Sequence, residues 1–71
     1  MIMREIELYL QQHGWDCLGD EHWYHAERNQ TALDTTWAIY YELKAHKDST
    51  LEFLKGLQEI PAPIKKIMGG V

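Results

Sequence analysis

His13-Gly14-Trp15-Asp16-Cys17-Leu18-Gly19-Asp20-Glu21-His22-Trp23-Tyr24-His25 decides the fold. This stretch holds two of the three Trp, three of the four His and the single Cys of the 71-residue chain. It reads as two short strands, Trp15–Leu18 and His22–His25, joined by Gly19-Asp20, since Gly accepts positive φ and Asp tolerates it. Two registers are open. A two-residue turn puts Trp15, Cys17, His22 and Tyr24 on one face. A three-residue turn through Glu21 with a bulge puts Trp15, Cys17, Trp23 and His25 together. The second is favoured because it gathers both indoles on the side that must be buried, and a one-residue slip would invert the whole face.

Outward from the hairpin the chain reads as helix and connector. From Met1 to His13, the spacing of Met3, Ile6, Leu10 and His13 predicts a helix, with Ile2 and Tyr9 widening its apolar face and Gly14 closing it. Ala26–Thr31 is polar loop, with room for a short third strand around Gln30–Leu33. Asp34 or Thr35 caps a helix to about His46, in which Trp37, Tyr40, Tyr41 and Lys44 line one side and Ala38, Leu43 and Ala45 fill in. A further helix is expected to start at Asp48 or Ser49, because Ser49-x-x-Glu52 has capping-box spacing. Its stripe is Leu51, Leu54 and Leu57, flanked by Phe53 and Ile60. Pro61-Ala62-Pro63 is expected to end it, and Pro63 to open a last short turn, Ile64–Met68. The expected fold is therefore a small single α+β domain over 1–68, with an N-terminal helix, an antiparallel hairpin and two further helices, followed by a flexible tail at 69–71. A two-stranded hairpin is barely stable alone, so it must lie on the helices.

Size and charge narrow the function classes. A chain this short buries only ~60% of its unfolded surface, so a metal, a disulfide or a partner would help it. Cys17 stands alone, which excludes an intramolecular disulfide and suits a reducing compartment. No secretory signal and no membrane-length apolar run is visible, so a cytoplasmic protein without membrane contact is expected. Arg4 and Arg28 face six carboxylates in residues 1–30, a net of −4, while residues 31–71 balance five Lys against five acids. Nucleic-acid binding needs Lys and Arg to displace counterions; an acidic half without a basic stripe argues against direct nucleic-acid contact.

Three chemistries compete with a plain binding role. His13, Cys17, His22 and His25 are residue types that bind zinc, but their spacing is not that of paired ligands on turns, and His22 and His25 fall on opposite faces of a regular strand. Cys17 could act as a thiol nucleophile, yet Asp16, Asp20 and Glu21 disfavour a thiolate. His22 beside Asp20 and Glu21 could serve as a general base. In its order, a helix and then a hairpin running Gly19 to His22, the chain resembles the HicA-type mRNA-cleaving toxins, where a histidine follows a Gly-Ser turn at the start of the second strand. The resemblance implies RNA cleavage by His22. The chain departs from that pattern in having Asp20-Glu21 where the family has Ser-His and in lacking a basic surface.

The composition favours an interaction surface. Three Trp, four Tyr and one Phe are more aromatics than one small core hides, and Tyr and Trp combine apolar area with a polar handle. Tyr40 and Tyr41 lie ~100° apart on a helix, so one packed face does not explain both. The expectation is a non-enzymatic protein-binding domain, an accessory or inhibitor protein of phage or mobile-element type, with no cofactor, catalytic or metal-ligating residues. Tyr24, Tyr40 and Tyr41 are its contact candidates, and Asp16, Asp20 and Glu21 give a negative rim suited to a basic partner such as an enzyme's nucleic-acid groove. Surplus apolar residues Ile60, Ile64, Ile67 and Met68 leave a homodimer and a hetero-complex equally open. An RNA-cleaving toxin using His22 and a zinc domain using His13, Cys17, His22 and His25 are the alternatives.

Overall fold

Residues 2–69 are described by a computed structural model, the side chains of positions 2 and 3 excepted. Along the chain run α1 (Ile2–Gln12), β1 (Trp15–Gly19), β2 (His22–His25), β3 (Gln30–Ala32), α2 (Thr35–Ala45), α3 (Lys47–Lys55) and α4 (Ala62–Gly69). Met1, Gly70 and Val71 lie outside the described residues, so the helix start at Met1 and most of the expected tail fall there; Gly69 is the last residue of α4. The three strands form one antiparallel sheet in the order β1-β2-β3. The short third strand is thus present, pairing Trp23 with Ala32 and His25 with Gln30.

The hairpin takes the favoured side arrangement by a different turn. Trp15 faces His25 and Cys17 faces Trp23, after which the pairing jumps to Gly19 with His22. Leu18 is the extra residue, a bulge within β1, and the tip is the pair Asp20-Glu21, both at positive φ (47° and 67°). Two consecutive left-handed residues match the twist of the flanking strands, although neither Asp nor Glu is the glycine that such a tip prefers. Trp15, Trp23 and His25 are buried on the inner side. Cys17 shares that side but lies where nothing covers the sheet, and is exposed.

α2 lies over the sheet and also touches α1, α3 and α4. Its buried face is Thr35, Ala38, Ile39, Glu42 and Leu43. Thr35 and Glu42 stand seven residues apart, two helical turns and ~10 Å along one side. Each receives one indole. Trp23 Nε1 donates to Thr35 Oγ1 at 3.0 Å and Trp15 Nε1 donates to Glu42 Oε1 at 2.8 Å. Each Trp buries ~150–250 Å², a gross transfer term of about 4–6 kcal/mol at ~25 cal/mol per Å², and the two hydrogen bonds remove the penalty of a buried unpaired N–H. The aromatic side of α2 is therefore not the side that meets the core. Ile6, Tyr9 and Leu10 of α1, Leu54 of α3 and Ile64 of α4 complete the interior.

Caps and breaks differ in part from the expected ones. Asp34 caps α2, its Oδ1 accepting from Trp37 N at 2.8 Å. The expected capping box at Ser49 does not form: α3 begins at Lys47, one residue after His46 closes α2, and its N-cap has no side-chain hydrogen bond. The phase is set by Thr50 and Leu54, four residues apart and both buried. Thr50 Oγ1 lies 3.0 Å from Tyr9 OH, and this pairing of interior hydroxyls places Ser49 outside. α3 also stops earlier than Pro61, at Gly56, whose N–H meets Glu52 O and Phe53 O. The prolines instead shape the start of α4, which opens at Ala62 with Lys65 N donating to Pro61 O at 2.9 Å.

Candidate protein-docking face

The outer side of α2 carries the aromatics that the core leaves out. Trp37 is 46% exposed, and Tyr40 and Tyr41 are half-buried. Their rings form one cluster, with Trp37 5.6 Å from Tyr40 and 6.0 Å from Tyr41, and the two tyrosines 6.0 Å apart, centre to centre. Tyr41 stacks parallel to Trp15 at 6.3 Å, so the cluster rests on the buried indole. Lys44 Nζ sits 5.2 Å above the Tyr40 ring.

Beside this cluster is an open concavity of about 510 Å³, lined by Arg28, Gln30, Tyr40, Tyr41, Lys44 and Ala45. Arg28 is held firmly. Its guanidinium pairs with Glu42 Oε1 and lies 5.7 Å from the Trp15 ring centre. Glu42 is fully buried, and the same Oε1 accepts the Trp15 indole N–H. A carboxylate removed from water needs such partners to be tolerated. One buried carboxylate thus fixes both a core indole and a rim cation. Its Oε2 has no hydrogen-bond partner among the described residues.

The expected contact residues do not form one patch. Tyr40 and Tyr41 belong to the α2 cluster. Asp16 and Tyr24 face each other across β1 and β2 on the sheet side opposite the indoles, with Tyr24 OH donating to Asn29 Oδ1 at 3.2 Å. Asp20 and Glu21 form the exposed hairpin tip. The acidic rim therefore belongs to the hairpin, whereas the aromatic concavity is rimmed by cations. Sequence reasoning missed Arg28, Gln30 and Glu42. A lone Arg in a polar loop and a Glu in mid-helix carry no local signal of burial or pairing.

The histidines and the cysteine are dispersed. His25 is buried with both ring nitrogens engaged, Nε2 at 2.8 Å from His13 O and Nδ1 accepting from Arg28 N at 3.3 Å. These partners fit the neutral ring protonated on Nε2. His13 Nδ1 is 2.7 Å from Tyr9 O, and His22 opens β2 on the exposed side of the hairpin. Among the described residues no three His, Cys, Asp or Glu side chains are grouped to hold a metal ion. None of their helices is long and apolar enough to cross a membrane. Comparison with protein-family models, curated proteins and solved structures finds no match for this chain.

Proposed function

We propose that the chain is a protein-binding module, an accessory or inhibitor protein of the kind carried by phages and mobile elements, docking through the outer face of α2. The observation that carries this reading is the Trp37, Tyr40 and Tyr41 cluster, which stands outside the core with Trp37 46% exposed. Large amphipathic rings presented by a rigid helix bind at low entropic cost and are the residue types that dominate binding energy at interfaces. Tyr24, Asp16, Asp20 and Glu21 form a second, acidic edge on the hairpin. That edge would speed encounter with a basic partner by steering, with a smaller effect on the lifetime of the complex.

Photo-crosslinking tests this directly. A benzophenone amino acid replaces Trp37 in one variant and the exposed Glu59 in another, and both are irradiated in host lysate. The expected result is an adduct to a protein other than the chain itself from position 37 alone. Equal labelling from both positions, or none from position 37, would contradict the reading.

A further inference from the structure

The aromatic concavity has a cationic rim, and the chain carries a complementary element of its own. Arg28 is anchored by Glu42 through one nitrogen, and a guanidinium has five N–H donors in a fixed fork. With 28% of its side chain exposed, it is pre-organised to accept a second carboxylate. Lys44 is poised over Tyr40. Among the described residues the Arg28–Glu42 contact is the one ion pair, so among them neither Lys44 nor the hairpin acids Asp16, Asp20 and Glu21 has a charged partner. The hairpin tip is narrow, two residues wide, and its bulge turns Leu18 outward at 62% exposure beside those acids.

We propose that the concavity receives the hairpin tip of a second copy of this chain. Asp20 and Glu21 meet Arg28 and Lys44, and Leu18 lies on the Tyr40 and Tyr41 rings. The inference rests on the reading that the outer face of α2 docks protein, and it names one occupant of that face. Acids on one surface and cations on another are joined twice when two protomers exchange tips about a two-fold axis, which gives a closed, isologous dimer. Such a contact would also supply some of the burial that a 71-residue chain lacks alone.

Sedimentation equilibrium of the purified full chain tests it. The expected result is concentration-dependent mass above the 8.4 kDa protomer, weakening as salt rises because the rim charges are exposed. Lys44→Glu should weaken association about tenfold or more. Lys55→Glu, an equal charge change on exposed α3, should leave it unchanged. Glu21→Lys should also weaken it, and an equimolar mixture of the Glu21→Lys and Lys44→Glu chains should restore it, because each supplies the charge that the other now needs. A strict 8.4 kDa species at every concentration, equal effects of Lys44→Glu and Lys55→Glu, or no restoration on mixing would overturn the proposal. The crosslinking result at Trp37 is read separately, since an adduct of two copies differs in mass from an adduct with another protein.

Discussion

The two sides of α2 use the same kinds of ring in opposite ways. On the inner side Trp15 and Trp23 are sealed, and each indole N–H ends on an acceptor of that helix. On the outer side Trp37, Tyr40 and Tyr41 cluster with each other, Tyr41 stacks on Trp15, and Trp37 is exposed. Aromatic content alone therefore does not separate structure from recognition in a chain this small. The separating feature is whether the polar handle of the ring is satisfied inside the protomer. The inner rings hold the fold, while the outer ones carry the proposed docking role.

The comparison can be broken by substitution, beginning with the largest effect. Trp15→Ala and Trp23→Ala should each destabilise by about 3–5 kcal/mol in denaturant unfolding, the usual loss for a large buried aromatic. A loss under about 1 kcal/mol at either site would mean that the inner side is not packed as described. Glu42→Ala should cost about 3 kcal/mol, because it strands the Trp15 N–H and leaves the Arg28 charge without its carboxylate. Glu42→Leu tests how much of that is polar, and should recover part of the loss through apolar packing. Gly14→Ala follows at about 2 kcal/mol. Gly14 has φ +96° and an added Cβ would lie 2.8 Å from His25 Nε2, a ring fixed at both nitrogens.

Much of this architecture could be read in the sequence, and the failures have physical causes. Indole burial was legible because only the bulged register collects Trp15 and Trp23 on one side. The position of the bulge was not legible. Gly19 invited the turn, yet the chain spends the extra residue at Leu18 and puts Asp20-Glu21 at the tip. α2 was legible as a helix but its inward face was not. Thr35, Ala38 and Glu42 look like a solvent face until two tryptophan N–H groups and a loop arginine are known to sit beneath them. The Ser49 capping box failed because the buried Thr50 hydroxyl set the phase of α3. That Tyr40 and Tyr41 cannot both face the core was legible from their adjacency on one helix, whereas the place of Arg28 beside them was invisible because it depends on a carboxylate fourteen residues away.

Two smaller effects sharpen the contrast. Glu21→Gly should stabilise by about 0.5–1 kcal/mol, since Glu21 sits at φ 67° where a side chain is disfavoured. A destabilised variant would show that the tip is not left-handed there. Trp37→Ala should change stability by no more than about 0.5 kcal/mol, as expected for an exposed side chain, while abolishing partner capture. A stability loss comparable to that of Trp15→Ala would erase the distinction between the two sides.

The most direct test needs no mutation. The three indole N–H protons are followed by NMR hydrogen exchange at a dilution where the chain is monomeric. Those of Trp15 and Trp23 should be protected by their bonds to Glu42 and Thr35, and that of Trp37 should exchange at close to the rate of a free indole. Protection of Trp37 in the monomer, or free exchange at Trp15 or Trp23, would contradict the account.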